Sequence, residues 1–143
     1  MKPEELAQKY NTEMHPQMIN HLGIEFIYAS GEKMVARMPV DKRTVQPMGL
    51  LHGGASCVLA ETLGSIGATL STGSKKIAVG VEINANHLRS ATSGYVTATS
   101  TPVKLGGTIQ VWECKIESDE GKLVCVSRLT VAMREPQQIP TKN

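Results

Sequence analysis

Residues 53–72, GGASCVLAETLGSIGATLST, contain a single charged side chain, Glu61. Leu59, Leu63, Ile66 and Leu70 recur at i, i+4, i+7 and i+11, a narrow apolar stripe with helical period. Gly73 supplies a C-terminal stop for that helix. At about 100° per residue, Glu61 points about 200° away from Leu59, onto a face that also carries Gly54, Cys57, Ser65 and Ala68. Small residues suit close packing, so both faces read as covered and Glu61 as a buried or cleft-lining carboxylate. Burying a carboxylate is costly unless it is paired or hydrogen-bonded. Two readings stay open from spacing alone: a satisfied structural glutamate at a helix–helix or subunit contact, or a carboxylate kept for chemistry.

Just upstream, His52-Gly53-Gly54 lies where a loop becomes the helix. A helix start leaves its first N–H groups unpaired at the positive end of the dipole, and glycine lets a ligand oxygen approach them. Such donors can polarise a carbonyl or hold an oxyanion; the plainer alternative is a flexible Gly-Gly start with His52 as a cap. Glu61 falls two turns beyond Gly54 and is expected to face the same cleft, with Ser65 one turn further. Gln46, Gly53, Glu61 and Ser65 then provide a polariser, a base or nucleophile, and a hydroxyl. No metal is expected, because His15, His21, His52 and His87 are scattered without ligand spacing. GxSxG, GxxxxGK[ST] and GxGxxG are also missing, which favours acyl chemistry without a cofactor.

The elements that must hold these residues follow from the rest of the chain. Residues 3–22 read as short helices, the second starting near His15-Pro16, and Gly23 ends them. Strands are expected at 24–28 and 33–38, joined by a Ser30-Gly31-Glu32 turn, and again at 76–88, 93–104, 107–118 and 121–133. Ile109, Val111 and Trp112 break strict alternation. Hairpin, long helix and four further strands imply an α+β fold, a six-stranded antiparallel sheet wrapped around one central helix. The division is a helical lead-in over 1–22, a single domain over 23–133 and a loose tail over 134–143.

Composition narrows the function classes. The chain has 143 residues, 15 Lys+Arg against 13 Asp+Glu, and only 3% aromatics. There is no basic run longer than two residues and little to stack on bases, so nucleic acid is a poor partner. No stretch approaches the ~20 apolar residues of a membrane span, and the polar N-terminus does not read as a secretory signal. Cys57, Cys114 and Cys125 match no zinc or redox spacing and read as reduced thiols of a cytoplasmic protein.

With these residues in view, QPMGLLHGGASCVLAETLGS resembles the active-site segment of the hotdog-fold acyl-CoA thioesterases. Its nearest branch is that of the 1,4-dihydroxy-2-naphthoyl-CoA and 4-hydroxybenzoyl-CoA hydrolases. VGVEINANHLRSA and KLGGTIQVWE extend the resemblance, which runs from about Gly23 to Met133. It implies a hotdog fold and a homodimer whose sheets join side by side with antiparallel helices. Two sites would then lie at the dimer interface, and dimers would pair into a homotetramer.

It also implies roles: Glu61 as nucleophile or general base, Gly53 and Gln46 as carbonyl polarisers, His52 orienting the thioester, and Ser65 placing water or carboxylate. Gly80 matches a position near the acyl end, and His87, Leu88, Arg89 and Ser90 match a nucleotide-contacting stretch. Lys104, Leu105, Gly106, Gly107, Thr108 and Ile109 match a pantetheine and phosphate path. From the residues alone, this last set reads as surface charge and a β-bulge. The implied substrate is an aryl- or other bulky acyl-CoA, in menaquinone synthesis or aromatic degradation, with no cofactor beyond the substrate's own CoA. The rivals are a carrier-protein or medium-chain proofreading thioesterase and a non-catalytic acyl-CoA-binding module. Met48 stands where many relatives have a larger residue.

Overall fold

Alternating buried and exposed side chains set the six strands of a single antiparallel sheet. The computed structural model describes residues 1–14 and 17–138. Two helices, α1 (Pro3–Glu13) and α2 (Met18–His21), lead into β1 (Glu25–Ala29) and β2 (Met34–Pro39). The long α3 (Gly53–Ser71) follows, then β3 (Ile77–His87), β4 (Tyr95–Leu105), β5 (Ile109–Ser118) and β6 (Leu123–Arg134). The sheet order is β1-β2-β4-β5-β6-β3, every pair is antiparallel, and α3 packs across the inner face. This is the expected architecture, with strand ends moved by only a residue or two.

Helix α3 sits closer to the sheet than its leucines suggest. Its buried residues are Ala55, Ser56, Leu59, Ala60, Leu63, Gly64, Gly67 and Ala68, while Ile66 and Leu70 are only half-buried. The expected leucine stripe faces the core, with Ile66 and Leu70 packed at its edge, but small residues around Leu59 and Leu63 make up most of the buried face. The reason is that the sheet supplies the bulk: a Cβ at Gly67 would come within 2.7 Å of the Trp112 ring. Small residues on the helix and large ones on the strands make a close-packed core.

Strand β5 alternates strictly, with Gln110, Trp112, Cys114 and Ile116 all buried. The sequence pattern looked irregular because a polar residue lies inside and apolar Ile109 and Val111 lie outside. Gln110 is satisfied: its Oε1 accepts from Trp112 Nε1 at 3.0 Å and its Nε2 donates to Ser71 Oγ at 2.9 Å. Replacing Gln110 with Leu strands the buried indole N–H, and chemical denaturation should show a loss of about 1–3 kcal/mol. An unchanged unfolding free energy would refute that role.

The lead-in is anchored rather than loose. Asn11 pairs with the backbone of Phe26 through both ends of its amide, each at 2.8 Å. Tyr10 meets the Phe26 ring edge-on, and Ala7 is buried. His15 and Pro16, where the second helix was expected to begin, lie outside the described residues. At the other end β6 continues to Arg134 and a short 3-10 turn spans Pro136–Gln138, so the first part of the expected loose tail is structured. Residues 139–143 lie outside the described residues.

Burial raises all three cysteine thiols above their ordinary value. Burial pushes the Cys114 thiol up to about 12 and the Cys125 thiol up to about 11. Cys57 is raised by burial and then by the charge of Glu61 one turn on. No helix among the described residues is long and apolar enough to cross a membrane.

Candidate active site

The start of α3 spends most of its free donors internally. His52 is the N-cap, with φ −70° and ψ 128°. Its carbonyl accepts from Ala55 N–H at 3.0 Å and Ser56 N–H at 3.3 Å. Its ring Nδ1 accepts from Gly54 N–H at 2.8 Å, so that nitrogen carries no proton and only Nε2 is left to donate. Of the four N–H groups that open the helix, only that of Gly53 has no acceptor among the described residues. His52 thus acts as a cap, and it leaves one donor available at the dipole's positive end.

That donor borders a cavity of about 430 Å³, lined by Gln46, Gly53, His87, Leu88, Arg89 and Ser90 among others. A Cβ on Gly53 would come within 2.7 Å of His87 Nε2, so glycine is what allows β3 to end against the helix start. The loop before it is closed by Gln46 N–H donating to Leu50 O at 2.8 Å and Gly49 N–H donating to Gln46 O at 2.9 Å. The Gln46 Oε1 accepts from Met48 N–H, which leaves the amide NH2 as its donating end.

Glu61 is exposed in the single chain and lines a cleft, the second of its two expected settings; what is corrected is that one face of α3 is open rather than both being covered. The cleft is a second cavity of about 400 Å³, which Glu61 lines with Thr62, Ser65 and Ile66 from α3 and Met14 and Met18 from the lead-in. Strand β3 passes beside it: a Cβ at Gly80 would come within 2.6 Å of Glu61 Oε1. The register of β3 slips between Gly80 and Glu82, so Val81 bulges just where the carboxylate is approached. Gly80, Glu61 and Ser65 form one group.

The two groups do not meet within one chain. Gly53 and Glu61 are eight residues apart, about 12 Å along the axis and about 80° around it, and they line separate cavities. Gly54 does lie on the Glu61 side of the helix, as the spacing implied, but its N–H is spent on His52. The nucleotide set divides as well. Lys104–Ile109 form the β4–β5 turn, held by Lys76 Nζ donating to Gly107 O at 2.6 Å and Met133 N–H donating to Thr108 O at 2.8 Å. That turn lies near the start of β3, whereas His87 ends the same strand, about 33 Å away for an extended run. The bulge is at Val103, where register slips between Pro102 and Lys104, and not at Gly106-Gly107.

Sequence reasoning missed the apolar wall contributed by α2. Met18 and Ile19 stand opposite Val58 and Ile66, yet a four-residue helix carries no detectable periodicity. No group of three metal-ligating side chains gathers among the described residues.

A single long helix wrapped by a six-stranded antiparallel sheet, with a lone glutamate on the helix face left open, defines a hotdog-fold thioester hydrolase. The chain belongs to the thioesterase superfamily, whose model matches residues 48–125. It is 49% identical over 116 residues to a 1,4-dihydroxy-2-naphthoyl-CoA hydrolase of Escherichia coli, covering 81% of this chain and 85% of that one. A crystal structure of a thioesterase from Haemophilus influenzae superposes with a TM-score of 0.83 at 47% identity, covering 94% and 92% of the two chains. A Staphylococcus aureus protein has been solved as two alanine variants. In one a glutamate is replaced (TM-score 0.80, 38% identity, covering 83% and 99%). In the other a glutamine is replaced (TM-score 0.77, 39% identity, covering 82% and 98%). The replaced glutamine and glutamate are fifteen positions apart, the spacing of Gln46 and Glu61 here.

Proposed function

We propose that this enzyme hydrolyses aryl- or other bulky acyl-CoA thioesters to the free acid and CoA, in sites that two protomers complete. The observation that carries the reading is the N–H of Gly53, the one donor at the start of α3 left unspent among the described residues, in a cavity that Gln46 also lines. Those donors suit a thioester oxygen that gains charge as the carbonyl is attacked. Glu61 then works in one of two ways. It takes a proton from water while the oxygen of that water bonds to the carbonyl carbon, or its own oxygen bonds to that carbon as an anhydride which water opens. In either route the C–S bond breaks and the CoA thiolate leaves and is protonated. Single turnover in oxygen-18 water puts label into the Glu61 carboxylate only if an anhydride forms and water opens it at the Glu61 carbonyl; trapping the acyl-Glu61 anhydride identifies that route when water attacks the acyl carbon instead.

The shared site answers the geometric gap. Strand β3 is an edge of the sheet, eleven residues long, with Val79 and Val81 exposed. A long open edge is a template for pairing. Antiparallel pairing of β3 with its copy runs the two α3 helices antiparallel. The Gly53 end of one α3 then runs towards the Lys104–Ile109 end of the other protomer, past that protomer's mid-helix Glu61. Ser65 orients the water or the carboxylate, and Gly80 keeps the approach to Glu61 clear. His52 directs its Nε2–H at the thioester end, and Arg89 and Lys104 supply cations for the CoA phosphates. On this reading the protein works in the cytoplasm as a dimer of dimers and uses no resident cofactor.

Support for an aryl substrate comes from the E. coli relative named a 1,4-dihydroxy-2-naphthoyl-CoA hydrolase. Steady-state kinetics on naphthoyl-, hydroxybenzoyl- and straight-chain acyl-CoA, and on carrier-protein thioesters, test it. The aryl-CoA esters should have the highest kcat/KM; a large preference for the carrier form would contradict the proposal. Arg89→Ala should raise KM for CoA esters more than it lowers kcat. A fall in kcat at unchanged KM would remove Arg89 from the binding role.

A further inference from the structure

The lead-in helices lie outside the segment matched by the family model and outside the sheet, yet they wall the cavity that holds Glu61. The cavity of about 400 Å³ beside Glu61 and a neighbouring one of about 370 Å³ beside His52 and Gly54 both include Met18 and Val58 in their linings. The two therefore adjoin as a groove along the open face of α3, roofed by α2, with Met18 over the junction. Met18 is 62% exposed, so its side chain is not held by the core. Each cavity alone falls in the range of about 300–1,000 Å³ common for ligand pockets.

We infer that this groove takes the acyl group of the substrate and that Met18 sets the size of acyl group accepted. The inference rests on Glu61 being the carboxylate at the scissile thioester. Charge assigns the occupant. The only acid lining the groove among the described residues is Glu61, which repels phosphate. Its only guanidinium, Arg43, is already spent on Asp41, with Nη2 to Oδ2 at 2.7 Å and Nε to Oδ1 at 3.1 Å. The unpaired donor of Gly53 and the exposed Arg89 border the other cavity, which suits the charged part of the substrate. What remains for the groove is an apolar group attached to the thioester carbon, running from Glu61 past Val58 and Met18 towards Leu22 and His52. A two-ring or extended acyl group spans both compartments, and a single ring or short chain fills one. Methionine at the junction is flexible and polarizable, so it fits flat rings and bent chains alike.

The lead-in is fastened to β1 by Asn11 and Tyr10, so its removal would damage the fold. Point variants of Met18 are the usable test. Met18→Trp blocks the junction and Met18→Ala widens it. Both are compared with wild type on the bulkiest and the shortest acyl-CoA that the wild type hydrolyses. Met18→Trp should lower kcat/KM for the bulky ester at least about tenfold while the short ester stays within about twofold. Met18→Ala should move the ratio the other way. An unchanged ratio in both variants would overturn the inference. So would equal losses for both esters, or a change of oligomeric mass by light scattering, which would mean that a second copy covers the groove. Failure here is distinct from failure of the hydrolytic reading, because that reading falls with an active Glu61→Gln variant and leaves the Met18 ratio untouched.

Discussion

Glu61→Gln should lose at least about 100-fold in kcat while the protein stays folded and still binds substrate. The swap keeps the size of the side chain and removes its ability to take a proton or attack a carbonyl. The carboxylate is exposed on the helix face turned away from the core, so the change does not disturb packing. Beside it the backbone of Gly80 would bring even a Cβ to 2.6 Å of Oε1, and the amide fits where the carboxylate stood. Stopped-flow release of CoA thiol on an aryl-CoA ester measures the loss. Turnover within a few-fold of wild type would remove Glu61 from the chemistry.

Gly53→Pro should cost about 10²–10³ in kcat, the loss seen when one oxyanion donor is removed. Gly53 is the first residue of α3, and proline is well tolerated there because its missing N–H had no helical partner. The preceding residue must be extended, and His52 already is, at ψ 128°. The substitution therefore removes the donor with little expected change in the unfolding midpoint. Its ring also presents a Cβ towards His87, so Gly53→Ala, which adds a Cβ and keeps the N–H, is the control. Loss in proline and not in alanine assigns the effect to the donor. Equal loss in both assigns it to crowding at His87.

Architecture was readable where turns and periodicity act locally. The Ser30-Gly31-Glu32 turn, the long helix over 53–71 and the four strands after it each have a signal confined to adjacent residues. Features set by packing across the molecule were not readable. The alternation of β5 was hidden because Gln110 is buried with its partners supplied by Ser71 and Trp112, from another element and from two residues on. The small-residue face of α3 reads as a helix buried on both sides, and only the path of the sheet shows which side stays open. Type and spacing nominate the residues at the helix start as candidates. The division between them required coordinates: His52 consumes the Gly54 donor, Gly53 turns to one cavity and Glu61 to another. The proposal that a partner completes the site starts from the family resemblance, and the placing of Gly53 and Glu61 in two separate cavities of the single chain supports it.

Co-assembly of two inactive variants tests the shared site most directly. Glu61→Gln and Gly53→Pro protomers are denatured, mixed in equal amounts, refolded and assayed for thioester hydrolysis. If one protomer's Glu61 works with its partner's Gly53, each mixed dimer holds one doubly altered site and one wild-type site. Random pairing then restores about a quarter of wild-type activity, by the two-fold symmetry of the dimer. If both groups act from the same chain, every site carries one defect and the mixture stays at the mean of the two variants, which would contradict the account.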